Sequence, residues 1–474
     1  MFPVVKKKIV VIGGGITGLS STFYLKRELE KKGLDYELVL LEAGTKVGGK
    51  IETVRRDGYV IERGPDSFLR RKPEMQELVR DLGLADQLVE NATGDNYVLA
   101  KQGLHAIPRG SIMGIPARYR PFFKTGLLSA SGKLRVMGDL FMGKQQVDGA
   151  DMSLGAFLRA RVGDEMVDNV LEPLMSGIYA GDLDEMSAEA TGEQFLKLER
   201  EHGSLIKGIR AIYNETTAKQ STESTFLTLR QGLTTIVEAL EKELSAKIIK
   251  KGKRVHKISK QTRGYELTVT NQEKLLADSI FIALPYHEII PMFRDDAIFE
   301  DIGEIPAASV ATVGMIFPKE AIEKDIKGSG FVVSRNEDFS MTACSWIHRK
   351  WPHTVPDDKI LLRAFVGRRK EESIVELADK AIEETVLSDL NRIMTINQAP
   401  EYTMVTRWRN SIPQYTVGHV QRKEAIFEEF REAYPGVFAG GASFDGVELS
   451  ECVRQGKDGT ASVLAFLDDL DVRV

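Results

Sequence analysis

The chain predicts an α/β fold, in which a parallel sheet is left and re-entered along the sequence, beside a strand-rich second region and a helical insertion. Three observations carry that expectation. Lys8-Ile9-Val10-Val11-Ile12 is an apolar run that breaks into Gly13-Gly14-Gly15-Ile16-Thr17-Gly18. A helical stretch, Leu19 to Glu30, follows the glycines and would point its N-terminus at a phosphate. Glu37-Leu38-Val39-Leu40-Leu41 then gives a second buried strand that ends in an acid, Glu42. A carboxylate about twenty residues beyond the glycines is placed to accept hydrogen bonds from a ribose diol. In that order, these elements form an adenine-dinucleotide-binding unit.

The other elements follow from period and punctuation. The polar stretch from Tyr213 to Ser224 reads as a loop. Beyond it, Leu229-Arg230-Gln231-Gly232-Leu233 leads into a helix from Thr235 to Leu244, with Ile236, Val237, Leu240 and Leu244 on one face. Short strands are expected near 247–249, 254–258 and 265–270, and 277–285 reads as a buried strand ending in a turn. Runs at 309–317, 330–334, 341–347 and 359–366 suit a second, mostly antiparallel sheet. A helix over 371–394 returns the chain to Gly436-Val437-Phe438-Ala439-Gly440-Gly441, a strand running into a turn, and to a last helix over 450–467. The stretch from about 100 to 212 lacks clear strand alternation after its start and reads as more helical.

The identity of the dinucleotide is carried by Val47-Gly48-Gly49-Lys50 and by Asp57-Gly58-Tyr59-Val60-Ile61-Glu62-Arg63-Gly64-Pro65. A nicotinamide site needs neither segment, and together they resemble the FAD fingerprint of the flavin amine oxidase superfamily. Further segments narrow the resemblance: Glu172-Pro173-Leu174-Met175-Ser176-Gly177-Ile178-Tyr179-Ala180-Gly181-Asp182, Ile412-Pro413-Gln414-Tyr415-Thr416-Val417-Gly418-His419 and Gly441-Ala442-Ser443-Phe444-Asp445-Gly446-Val447. With these the chain is similar to the protoporphyrinogen and coproporphyrinogen oxidase family, above all to its soluble coproporphyrinogen III members from Gram-positive bacteria. The resemblance spans nearly the whole sequence. It implies a discontinuous FAD-binding Rossmann-like domain over 1–98, 225–298 and 406–474, a strand-rich substrate domain over 299–405, and a helical insertion over 99–212 that faces substrate or membrane.

Carried over by position, the resemblance assigns Gly13, Gly14, Gly15, Ile16, Thr17 and Gly18 to the diphosphate turn, and Glu42 with Ala43 to the ribose. Lys50, Gly64, Pro65, Asp66 and Ser67 are implied to lie along the diphosphate and the flavin. Val255 would meet the adenine; Trp408, Gly446 and Val447 would meet the flavin region. Glu448 departs from the pattern, because the family usually has glycine there. A carboxylate aimed at a reduced flavin would oppose the last helix's dipole, so Glu448 is expected to turn outward, and its backbone to keep the cofactor contact. Lys72, Ile178 and Tyr179 are the substrate-lining candidates.

Composition bounds the rest. The 474 residues, 42% of them apolar, suffice for a large core, and a formal net charge of −5 gives no general attraction to nucleic acid. No run approaches the ~20 apolar residues of a membrane span. The short lead before the first strand leaves no space for a signal peptide's apolar core, so a cytoplasmic location is expected. Cys344 and Cys452 have no metal-ligand spacing and read as buried thiols; no metal is expected. Seven dispersed histidines form no nucleophilic constellation, and His419 reads as structural.

The resemblance implies FAD, bound non-covalently, and oxidation of a porphyrinogen in three two-electron rounds. In each, a meso carbon gives a hydride to flavin N5 and dioxygen takes the electrons, forming hydrogen peroxide; no side chain is assigned as catalytic. Coproporphyrinogen III, with four propionates, is the expected substrate, in haem biosynthesis; protoporphyrinogen IX is the alternative. Arg109, Arg118, Arg120, Lys124, Lys133, Arg135 and Lys144 stand against one acid, Asp139. This island reads as a solvated face, as a surface for anionic lipid making the protein peripheral at the membrane, or as a rim steering an anionic substrate. A downstream haem-pathway enzyme is a further partner to consider. Two rival readings keep the fold: an oxidase of amines, and a GDP-dissociation-inhibitor-like binding protein without flavin chemistry.

Overall fold

A computed structural model describes residues 6–144, 151–218, 225–296, 299, 302–323 and 326–472. Five parallel strands form its central sheet: Lys7–Ile12, Tyr36–Glu42, Ile249–Lys251, Ser279–Ile282 and Val437–Ala439. Numbered along the chain they lie in the order 3-2-1-4-5, so the first strand is central and the sheet is completed only by residues from the far end of the sequence. The continuous apolar runs follow from burial on both faces. Ile9 and Val11 enter one core with the helices Ile16–Lys32, Thr234–Ile248 and Leu449–Val472, whereas Val10 and Ile12 enter another behind the sheet. The first and last helices approach closely because Gly456 lies against the first: a Cβ there would come within 2.7 Å of the Thr17 carbonyl oxygen.

The second sheet has seven strands, in the order Tyr402–Pro413, Ala307–Pro318, Lys359–Val366, Met341–Trp346, Gly330–Val333, Asn96–Ala100 and Gly103–Ala106. It is antiparallel except where Gly330–Val333 runs parallel to Asn96–Ala100. Asn96–Ala100 straddles the expected boundary at 98/99, and Tyr402–Pro413 straddles that at 405/406. The described residues between 119 and 218 are mainly helical, around their own core of Phe122, Phe157, Leu158, Leu171, Ile206 and Ile209.

Three expected elements differ. Tyr213–Ala218, expected as loop, continues the helix Leu205–Ala218, whose buried Ile206 and Ile209 anchor it; 219–224 lie outside the described residues. The helix expected over 371–394 splits into a short turn, Ser373–Glu376, and Asp379–Asn391. Arg407 draws the carbonyls of Val375 and Leu377 into side-chain hydrogen bonds, which takes them out of a helical ladder. The strand expected near 247–249 begins only at Ile249, because the preceding helix runs on to Ile248.

Inside the helical region, Arg161 and Asp139 are fully buried. Arg161 Nε donates to Asp139 Oδ1 at 2.7 Å, and its two Nη atoms donate to the carbonyls of Gly143 and Gly203 at 2.7 and 2.8 Å. Asp139 Oδ2 accepts from Ser204 Oγ at 2.6 Å and from Ile206 N at 3.0 Å. The one acid of the basic island is thus a core residue. That leaves no exposed acid between Arg109 and Lys144. Among the described residues no helix is long and apolar enough to cross a membrane, and no group of three or more His, Cys, Asp or Glu is placed to hold a metal ion. Cys344 and Cys452 are buried free thiols.

Candidate functional site

The glycine turn divides its work. A Cβ on Gly18 would lie 1.9 Å from the Gly13 carbonyl oxygen, and one on Gly13 would lie 2.5 Å from that of Ala283. These two glycines therefore let the helix and the sheet come together. A Cβ on Gly15 would meet nothing within 4 Å, so the backbone there faces open space at the start of the helix Ile16–Lys32. Ile16 and Thr17 are its buried first residues. Glu42 stands beside the turn: Oε2 accepts from Gly14 N at 2.8 Å and Oε1 from Gly44 N at 2.6 Å. Each carboxylate oxygen retains a lone pair for a further donor. Ala43 is exposed next to it. Lys253 N donates to the Glu42 carbonyl at 2.8 Å, which brings buried Val255, two residues on, to the same end of the sheet.

The second glycine segment folds back on the first. Gly48 N donates to the Gly14 carbonyl at 2.7 Å, and Gly15 and Gly48 form a parallel bridge. Asp57-Gly58, both at positive φ, close the hairpin of Thr53–Arg56 and Tyr59–Glu62 that delivers Gly64. A Cβ on Gly64 would come within 1.9 Å of the Lys50 carbonyl oxygen and 3.4 Å of the Trp408 ring. Trp408 Nε1 and Thr312 Oγ1 both donate to the Arg63 carbonyl, at 3.1 and 2.9 Å. The Lys50 ammonium, lowered by desolvation, donates to the Ser411 carbonyl. Lys50, Gly64, Pro65 and Trp408 therefore meet where the hairpin joins the second sheet.

Asp66 does not project into that junction. It accepts from Lys350 Nζ at 2.9 Å, from Ser67 Oγ at 2.7 Å and from Trp351 Nε1 at 3.3 Å, fastening the turn to the end of the short helix Ile347–Lys350. Burial acts to raise the Asp66 carboxyl, but Lys350 and Arg363 overcome it and hold the group well below the usual carboxylate range. Glu62 behaves oppositely. Burial raises its pKa to about 7, against hydrogen bonds from Leu233 N at 2.6 Å and Thr53 Oγ1 at 2.8 Å.

Because the folded pKa of Glu62 lies above its unfolded value, the folded state holds the extra proton between about pH 4.5 and 7. Stability from this group is complete below that window and is lost as pH rises through it, by about 3 kcal/mol in all. Urea unfolding of wild type and Glu62→Gln at pH 5 and pH 8 checks this. The glutamine variant should show a flatter pH dependence, and identical slopes would assign the effect elsewhere.

The last helix closes the site. Gly446 and Val447 precede Glu448, whose carbonyl accepts from Cys452 N at 3.0 Å at the helix start. The Ser450 hydroxyl, 1% exposed, has no hydrogen-bond partner among the described residues. Glu448 does not turn outward as expected. It reaches back to Lys72 Nζ at 2.6 Å, and Lys72 also meets Glu451 at 2.7 Å. Pairing costs less than leaving the carboxylate partly desolvated and alone. Ile178 is half exposed, and Tyr179 packs on Tyr415 with ring centroids 6.1 Å apart. Burial pushes the Tyr179 phenol up to about 12, and the charges of Glu448 and Glu451 add to the rise. The turn after Tyr179 is clamped: Gln414 Nε2 donates to the Tyr179 carbonyl at 2.8 Å and Arg335 Nη2 to that of Gly181 at 2.7 Å. His419 is buried, stacked on Tyr415 at 4.1 Å and hydrogen-bonded to the Phe444 carbonyl at 2.9 Å. Desolvation lowers its pKa to about 4, so it is a neutral structural residue near neutral pH.

Sequence reasoning brought the glycine turn, Glu42, Lys50 and the Gly64 turn to this place, but missed Glu62, Thr312, Ser450 and Glu451. Their partners are remote in sequence, and no periodicity marks them. The residues present suit an adenine dinucleotide. The face at Gly15 is open, Glu42 beside it keeps acceptor capacity, and the Ser450 hydroxyl at the start of the last helix has no partner among the described residues.

Residues 16–464 match the model of the flavin-containing amine oxidoreductases, and the chain belongs to that family. FAD is its cofactor. Two curated relatives match over the full length. One is the coproporphyrinogen III oxidase of Bacillus subtilis (strain 168), 46% identical over 98% of this chain and 99% of the relative. The other is the coproporphyrinogen III oxidase of Staphylococcus aureus (strain NCTC 8325 / PS 47), 38% identical over 97% of this chain and 100% of the relative. A crystal structure from Exiguobacterium sp. 255-15 superposes with a TM-score of 0.86 at 36% identity, covering 98% of this chain and 99% of that one.

Proposed function

We propose that the protein is an FAD-dependent oxidase that converts coproporphyrinogen III to coproporphyrin III in haem biosynthesis, with dioxygen accepting the electrons and hydrogen peroxide as the by-product. The observation that carries this reading is the full-length likeness to coproporphyrinogen III oxidases. Bound FAD supplies the two-electron acceptor.

The chain's own residues bind and orient. Gly13, Gly14, Gly15, Ile16, Thr17 and Gly18 offer a glycine turn and a helix N-terminus to the diphosphate, while Glu42 and Ala43 flank the ribose. Val255 lies by the adenine. Lys50, Gly64, Pro65, Asp66, Ser67 and Trp408 frame the flavin end, with Asp66 acting through its anchor to Lys350 rather than by contact. Gly446, Val447 and Glu448 bring the last helix to it, and that helix's positive end favours negative charge on the cofactor. Lys72, Ile178 and Tyr179 line the substrate side. FAD is held without a covalent bond. Comparing kcat/KM for coproporphyrinogen III and protoporphyrinogen IX tests the substrate. Preference for the tetrapropionate is expected, and preference for the divinyl compound would reassign the enzyme to protoporphyrinogen.

The helical insertion supplies a lipid-facing surface. Phe141 and Leu134 are 87% and 69% exposed, Phe123 and Met142 nearly half so, and Arg118, Arg120, Lys124 and Lys144 are exposed on the same segment. Apolar anchors among cations suit an anionic membrane surface, in peripheral contact. Arg135, also exposed, keeps its charge but is held in place by the carbonyls of Arg159, Ala160 and Arg161, to which it donates. Wild-type protein should co-sediment with vesicles containing phosphatidylglycerol, and Leu134→Glu/Phe141→Glu should lower the bound fraction at least fivefold. Equal binding by both would remove this surface from the account.

A further inference from the structure

The Lys72 ammonium is occupied. Burial tends to lower its pKa, but the carboxylates of Glu448 and Glu451 overcome that and raise it. The two carboxylates are not equivalent. Glu451 is also held by Arg454 at 2.8 Å, and Arg454 extends to Asp445 and to Asp458 at 2.9 Å. Among the described residues, the one cation that Glu448 touches is Lys72. Glu448 is also the most exposed of the three, with 33% of its side chain accessible against 26% for Lys72 and 23% for Glu451. The Glu448 oxygen that meets Lys72 is buried while the rest of the side chain reaches solvent, so a turn of the side chain frees the ammonium, whereas Glu451 is fixed from both sides. The pair joins Lys72, a residue of the substrate side in the reading above, to the start of the last helix.

We propose that Glu448 is a specificity-determining residue: an internal carboxylate that sits on Lys72 in the free enzyme and is exchanged for a propionate of the incoming substrate. This rests on the reading of the protein as a porphyrinogen oxidase. The exchange replaces one carboxylate by another on the same ammonium and releases Glu448 into solvent, so the ion pair is conserved. A substrate edge that carries a vinyl group offers no replacement, and would have to break the pair and leave Lys72 unpaired while partly desolvated. Glu448 therefore lowers the affinity for every ligand, because the open form is a fraction of the population, and lowers it more for ligands without a carboxylate at that edge.

The test uses FAD-loaded protein and coproporphyrin III, the tetrapropionate product, as the probe, with Kd read from quenching of porphyrin fluorescence. Glu448→Gln keeps the side-chain shape and removes its charge; coproporphyrin III should then bind about tenfold tighter. Glu448→Ser, which retains a residue suited to begin a helix, should do the same if the glutamine variant loses flavin. Lys72→Met should weaken binding, and adding Glu448→Gln to it should bring no further gain. If Lys72→Met weakens binding while both Glu448 variants leave it unchanged or weaker, Lys72 remains a substrate residue and the exchange is wrong. If Lys72→Met has no effect, the placement of Lys72 at the substrate fails, and the exchange fails with it.

Discussion

Gly15→Val is expected to yield a folded protein that no longer retains FAD. The substitution separates two duties of one turn. Gly15 has φ −71°, which valine tolerates, and a Cβ built there meets no atom within 4 Å. The fold therefore accepts the side chain. The space it fills is the space a diphosphate needs in order to reach the backbone N–H groups at the helix start. Purified wild type should show flavin absorbance near one FAD per chain. The variant should show at least a hundredfold weaker FAD binding, with a melting temperature within a few degrees of wild-type apoprotein. Gly18→Val is the contrast: its Cβ would overlap the Gly13 carbonyl, so fold and cofactor should be lost together. Normal flavin content in Gly15→Val would place the diphosphate elsewhere.

The second large effect lies away from the flavin. Arg161→Met should destabilise the protein by about 3–5 kcal/mol, since it leaves Asp139 buried without its cation. The Gly143 and Gly203 carbonyls would lose their donors at the same time, and Glu199, 3.5 Å from Arg161, would face Asp139 with no charge between them. Asp139→Leu combined with Arg161→Met removes both charges and should recover part of the loss. Urea unfolding followed by circular dichroism reads both. A loss below about 1 kcal/mol in the single variant would mean that water reaches the pair and replaces the arginine.

The site was legible where the chemistry is local. Gly13 to Gly18 and Glu42 announce themselves because a strand, a turn and a helix must follow one another at fixed spacing. The Gly64 turn was legible through its motif, although the Asp57-Gly58 hairpin that delivers it was a plain signal left unread. What escaped was carried by distant pairings. Lys72 and Glu451 are 379 positions apart, and nothing near either residue declares the other. Asp139 read as one acid in a basic surface, yet it is the buried partner of Arg161, 22 positions on. The break near Leu377 depends on Arg407, which belongs to another strand and overrides the local helical pattern. Local propensity thus placed the parallel strands and the last helix, while tertiary hydrogen bonds decided where the intervening elements stop.

The most direct test of the central claim is anaerobic. FAD-loaded protein is mixed with coproporphyrinogen III in the absence of dioxygen, and flavin absorbance near 450 nm is followed together with porphyrin fluorescence. The account predicts that the flavin bleaches in one rapid phase and that the colour returns when air is admitted, as hydrogen peroxide accumulates and coproporphyrin III forms. A flavin that stays oxidised with coproporphyrinogen III, yet bleaches with a simple amine, would contradict it.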